Sequence, residues 1–194
     1  MDFKERVYSI LIVSAAEKFN TSLKELLFDF KYHPIHFKTS ISAARRAVIE
    51  REYDFIIINS PLPDEDGIRF SIDICSEKKS VVLIMVRSEV YHSVYDVSSR
   101  HGVYLLTKPT SKQIVSSALD WMAATRERLR KLEKKNVSLE DKMQEIRLVN
   151  RAKWILITEL KMNEKDAHHY IEKQAMDRCT AKKEIAEEII KTYT

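Results

Sequence analysis

Three groups of side chains in this sequence could do chemistry, and none of them assembles an enzyme. The first is a cluster of acids and amides. Asp54 and Asn59 flank the apolar run Phe55–Ile58, and Asp64 and Asp66 follow in a Pro-rich stretch ending at Gly67. Carboxylates hold hard divalent cations and act as nucleophiles, but these belong to a strand start and a loop. The second group is soft or imidazole ligands. His168 and His169 are adjacent, and neighbours on a helix point about 100° apart, so one ion cannot easily take both. Cys75 and Cys179 are isolated, with no CxxC spacing, which fits a reducing compartment. With no nucleophile–base pair, phosphate loop or metal cluster, the sequence predicts no catalysis, no cofactor and no metal. The third group is cationic and amide side chains late in the chain: Arg147, Arg151, Lys153, His169, Lys173, Gln174, Arg178, Lys182 and Lys183. Residues 1–120 carry 16 basic and 16 acidic groups, whereas 121–194 carry 17 and 13, so the whole net charge of +4 lies in the later part. Such a distribution suits contact with a polyanion; a few extra lysines on a solvated helix would look the same.

The elements that must position these groups are legible in the apolar pattern. At 194 residues, with 44% hydrophobic content, two glycines and four prolines, the chain suits one or two folded, helix-rich domains. Met1–Arg6 runs straight into a strand rather than a signal peptide, and no apolar run reaches membrane-spanning length, so a cytoplasmic protein is expected. Strand-like runs at Tyr8–Val13, Pro34–Phe37, Phe55–Ile58, Val81–Val86 and Val103–Leu106 alternate with helical stretches. The helices are Thr21–Phe30 (Leu23, Leu26, Leu27 and Phe30 on one face), Ile41–Glu50, one from Gly67 through Ile74, and Val90–Ser99. Thr107–Thr110 breaks the pattern, and a last helix starts near Ser111. Five βα units in succession predict an α/β doubly wound, five-stranded parallel sheet.

A heptad seam follows: Met122, Thr125, Leu129, Leu132, Asn136, Leu139, Met143, Ile146 and Asn150. It predicts a long coiled-coil helix that dimerises through Met122, Leu129, Leu132, Asn136, Leu139, Met143 and Ile146. Asn136 at an a position would set register, and Arg128–Glu133 and Lys135–Glu140 are of opposite sign across a parallel pair. Lys142–Arg147 is repulsive, so the pairing loosens there.

Beyond Ile146 the pattern changes to three short amphipathic helices. Leu148, Ala152, Ile155, Leu156 and Leu160 mark the first. Asn163, an N-cap, opens the second, with Ala167, Tyr170, Ile171, Ala175 and Met176 on its face. Thr180 is a cap candidate for the third, which carries Ile185, Ala186, Ile189 and Ile190. Domains are therefore expected at 1–121, 122–146 and 147–194.

Two stretches carry family resemblances. Over roughly residues 6–121, the order of elements, the segment D-F-I-I-I-N-S-P-L-P-D-E-D-G (54–67) and L-T-K-P (106–109) resemble the receiver domain of response regulators. The resemblance fails where receivers take up phosphate. Asn59 stands at the phospho-acceptor position, Ser14 and Ala15 replace the acidic pair, Val86 replaces the switch hydroxyl, and Leu105 replaces the aromatic partner. Lys108 remains, with no aspartyl phosphate to grip. The expectation is a pseudo-receiver that phosphate does not switch. Either it serves only to fold and hold the seam in register, or its vestigial pocket or its Tyr91, Tyr95 and Tyr104 face is read by a regulatory protein or ligand.

Over about residues 140–192, R-A-K-W-I-L (151–156), E-K-D-A-H-H-Y-I-E-K-Q-A-M-D (164–177) and K-K-E-I-A-E-E-I-I (182–190) resemble the ANTAR domain of antitermination regulators. That resemblance implies an RNA-binding dimer that holds paired hairpins of a leader transcript in the antiterminator form. Lys153, Lys173 and Gln174 match family positions; the other basic candidates rest on charge alone. Trp154 stands where the family commonly has Gly, with burial in the core the expected fate and base stacking the alternative. A different reading keeps the C-terminal module as a dock for a partner protein. DNA binding has less support, since no helix-turn-helix turn or dense basic helix is visible.

Overall fold

A computed structural model of the chain describes residues 6–28, 31–77 and 79–193. Strands β1 (Tyr8–Val13), β2 (Tyr32–Lys38), β3 (Phe55–Asn59), β4 (Val81–Arg87) and β5 (Tyr104–Lys108) form one parallel sheet in the order β2-β1-β3-β4-β5. Between them run α1 (Glu17–Leu26), α2 (Ile41–Glu50), α3 (Ile68–Glu77) and α4 (Tyr91–Ser98). The sheet is followed by α5 (Lys112–Leu160), α6 (Glu164–Asp177) and α7 (Lys182–Tyr193).

The near-continuous apolar strands are explained by burial on both faces. Because strand side chains alternate, Ile10, Ile12, Phe55, Ile57, Leu83 and Met85 face one layer, with α1 and α5. Leu11, Val13, Ile56, Ile58, Val82 and Ile84 face the other, with α2, α3 and α4. Each fully buried side chain of this kind contributes about 1.5–3 kcal/mol. Gly67, with φ +79°, closes the loop after β3; a Cβ there would meet Ile41 and Ile58 at 3.0 Å.

Several boundaries shift by one to four residues from expectation, and two of the shifts have a visible local cause. Helix α1 begins at Glu17 rather than Thr21, because Ser14 Oγ accepts the Ala16 N–H and turns the chain directly out of β1. Its expected face residue Phe30 lies outside the described residues. Strand β5 continues through Thr107 and Lys108, paired with Val86 and Arg87, so the break falls at Pro109.

The chain forms two compact units, Met1–Arg130 and Lys131–Thr194. The first therefore extends past residue 121, where the sequence pattern placed its end. Met122 is fully buried in the sheet domain, Leu129 packs against that core, and Thr125 shares a 2.6 Å hydrogen bond with Tyr104. Met122, expected on the dimer seam, is thus a core residue of the first unit, and Leu129, expected there too, lies half-buried against that core. Heptad spacing could not separate the two roles, since both want an apolar stripe on one helix. In the second unit, Ala152, Leu156, Ala167, Ile171, Ala175, Ile185, Ala186 and Ile189 build a small three-helix core. Asn163 caps α6 by accepting the Asp166 N–H at 2.8 Å. Tyr170 and Met176, expected on the apolar face, are exposed. Thr180 caps nothing: its buried hydroxyl has no partner, and α7 starts at Lys182.

Candidate functional site

At the C-terminal edge of the sheet, β1 delivers Ser14, β3 ends at Asn59 and β5 ends at Lys108. Asn59 Nδ2 donates to Ser14 Oγ at 3.0 Å. Lys108 Nζ donates to Asn59 Oδ1 at 2.6 Å and to the Ser60 carbonyl. Lys108 therefore does have something to grip, an amide and a backbone carbonyl. Val86 is buried and brings no hydroxyl, Ala15 is exposed and brings no charge, and Leu105 is half-buried. Burial, and then the nearby Arg87 charge, lower the Lys108 pKa. The pocket is a hydrogen-bonded relay of uncharged partners around one cation, which keeps one N–H free of them.

The three neighbouring carboxylates all have structural work. Asp64 accepts from the backbone N–H groups of Ser42 and Ile41 at the start of α2, and these bonds lower its pKa to about 2. Asp66 accepts the Ile68 N–H at the start of α3. Asp54 accepts from Arg126 Nε at 2.8 Å, Arg130 at 2.7 Å and the Ser9 N–H at 3.0 Å. Burial alone would raise the Asp54 pKa, but these bonds and the two guanidinium charges outweigh it and hold the carboxyl below its usual range. Sequence reading missed this node, which ties the start of β3 to α5. Its only trace was that Arg126 and Arg130 stand four residues apart.

In the second unit, α5, α6 and α7 enclose a groove of about 370 Å³. Lys142, Glu145, Asn150, Lys153, His168 and Lys182 line it around the apolar Ile146 and Val149, so three lysines and one carboxylate share it. Of the nine basic and amide candidates, Lys153 and Lys182 lie here, and His168 lines it where His169 was expected to serve. Lys142, Asn150 and His168 were missed. Positions 142, 146, 149, 150 and 153 share one helical stripe, a signal that the heptad reading had absorbed. Lys153 pairs with Glu164 at 3.1 Å, and Lys182 pairs with Glu172 and lowers its pKa. Arg178 forks onto Glu188 at 2.5 and 2.7 Å. Each pair has a partner open to solvent, and such pairs are worth little. Arg147, Arg151, His169 and Lys173 are exposed, Gln174 and Lys183 are half-buried, and none of them makes an ion pair among the described residues.

Trp154 is 67% exposed, against the expected burial. It stands two residues from both Ala152 and Leu156, about 200° around the helix from the buried face. Leu132, Asn136, Leu139, Met143 and Ile146 are likewise exposed in a single chain.

Residues 138–190 match the ANTAR domain family. The transcriptional regulatory protein PdtaR of Mycobacterium tuberculosis, strain H37Rv, is 27% identical over 139 residues, which span 72% of this chain and 68% of that protein. A signal receiver domain of an HD domain-containing protein from Pseudomonas fluorescens Pf-5 superposes with a TM-score of 0.57 at 22% identity, covering 65% of this chain and 93% of that one. A two-component response regulator from Clostridium difficile gives 0.53 at 20% identity, covering 60% and 96%. The N-terminal unit thus has the receiver fold, and the C-terminal unit carries an ANTAR domain.

Proposed function

We propose that this chain is an RNA-binding transcription antitermination regulator. As a dimer, it stabilises antiterminator hairpins in a leader transcript, outside the control of aspartyl phosphorylation. The observation that carries this reading is the lysine-lined groove of the ANTAR unit. Its cations suit phosphates, and Val149 beside Asn150 and His168 suits an unstacked loop base. Arg147, Arg151, Lys173, Gln174, Arg178 and Lys183 extend the cationic surface outside the groove. Two copies joined along Leu132, Asn136, Leu139, Met143 and Ile146 would present two reading modules, so a transcript with two linked hairpins binds by avidity. The carboxylate-free Ser14–Asn59–Lys108 relay supports independence from phosphate, because it holds neither a carboxylate nucleophile nor an acidic pair for Mg²⁺. The role is regulatory rather than enzymatic. No helix among the described residues is long and apolar enough to cross a membrane, and a cytoplasmic location fits an RNA target.

The test is to recover the protein from native cell extract, with and without RNase, and sequence what co-purifies. Enrichment of leaders with two small hairpins ahead of a terminator is the expected result. A second reading, docking to a partner protein, is favoured by the exposed Trp154 and Met176 (67% and 77%). It predicts a stoichiometric protein partner and no enriched RNA.

A further inference from the structure

A groove of about 260 Å³ opens on the first unit between α1 and α5, beside the vestigial pocket. Its walls are apolar: Phe19 and Leu26 from α1, Met85 from β4, and Val115 from α5. Its polar groups are few and grouped. Lys108 and Thr110 come from the end of β5 and the segment after it, and Ser22 and Lys112 line the groove from α1 and α5. Such a combination of an apolar body and a few convergent polar groups is typical of small-molecule sites.

The charge is unbalanced. The Lys108 ammonium has three N–H donors, and two are taken by Asn59 Oδ1 and the Ser60 carbonyl, both neutral. Among the described residues no carboxylate pairs with it. Arg87 is close enough to depress its pKa, so the neighbourhood is more positive still. Lys112 is balanced by Glu25 at 3.0 Å. A half-buried cation without a counter-charge, at an apolar groove, calls for an anion with an apolar tail. The groove lies below the roughly 300–1,000 Å³ of drug-sized sites, so it suits a short-chain anion.

We propose that the α1–α5 groove binds a small monocarboxylate with an apolar body of about six carbons, its carboxylate on the third N–H of Lys108 and on Thr110. Val115, in the wall, belongs to the same helix that continues to Leu160, so occupancy acts on α5 directly. This site is independent of the RNA reading and would stand if that reading failed.

The test uses the full chain and hexanoate as probe, with methyl NMR and calorimetry. Saturable binding is expected with a Kd of about 1 mM or tighter, with shifts confined to Leu23, Leu26, Met85 and Val115. Lys108→Met weakens hexanoate at least tenfold, and 1-hexanol binds the wild type at least tenfold more weakly than hexanoate. Should Lys108→Met fail to fold, Thr110→Val with the hexanol comparison carries the same information. Equal binding of hexanoate and hexanol overturns the assignment, as do shifts scattered over the domain or no saturation. So does a groove whose methyl shifts track protein concentration rather than hexanoate, which would assign it to a second copy of the chain.

Discussion

Asn59 is the residue at which this receiver-like domain departs furthest from phosphate chemistry, and the departure is structural as well as chemical. Its amide bonds both ways, to Ser14 and from Lys108, which a carboxylate could not do without changing the relay. Asn59→Asp would give Lys108 an ion partner but no Mg²⁺ site, because Ser14 and Ala15 still stand where acids are needed. Incubation with acetyl phosphate and Mg²⁺ should leave that variant unlabelled; stable labelling would refute the claim. Asp54 makes a second residue-scale case. Asp54→Ala removes one carboxylate shared by the mostly buried Arg126 and by Arg130, and should cost about 2–4 kcal/mol in urea denaturation. The sign of the pH dependence follows from a folded pKa held below the unfolded one. The contribution is fully present above the ordinary carboxylate pKa and is lost as pH falls through the lower folded value. Asp64, at about 2, behaves alike. Wild-type stability should therefore fall between about pH 4 and pH 2, and the fall should be shallower in Asp54→Ala; identical slopes would refute the assignment.

At the level of elements, Gly67 and α5 carry the consequences. Gly67→Ala meets both a left-handed backbone and side chains at 3.0 Å, so a loss of about 1–3 kcal/mol is expected in thermal or urea unfolding. Helix α5 is one element with three successive environments: the sheet's core face up to Leu129, an exposed apolar stripe from Leu132 to Ile146, and the small three-helix core from Ala152. The strands and the doubly wound order were legible because burial on both faces leaves an unmistakable apolar run. The assignments that slipped were those in which two environments ask for the same residue types. Met122 fits a heptad and a domain core equally well. Trp154 follows neither pattern, and only the angular position relative to Ala152 and Leu156 places it outside. The relay around Asn59 and the Asp54 node join residues 45 to 76 positions apart, and no local pattern records such partners.

For the whole molecule, helix α5 runs from a receiver-like unit into an ANTAR unit, and the proposed function has two copies pairing along its exposed stripe from Leu132 to Ile146. Leu132→Arg with Leu139→Arg should leave each unit's melting intact. It should reduce binding to a two-hairpin RNA by about 10²–10⁴-fold, and change binding to a single hairpin by less than about threefold. Equal loss on both would remove avidity from the account. The most direct single measurement is equilibrium binding of the full chain to a leader RNA with two small hairpins, across about 50–200 mM salt, beside a scrambled RNA of equal length. A dimer reading loop bases over neutralised phosphates should prefer the leader at every salt concentration. Its log affinity should fall linearly with log salt, with a slope of about −3 or steeper. Affinity that is the same for both RNAs, or that does not change with salt, would contradict the central claim.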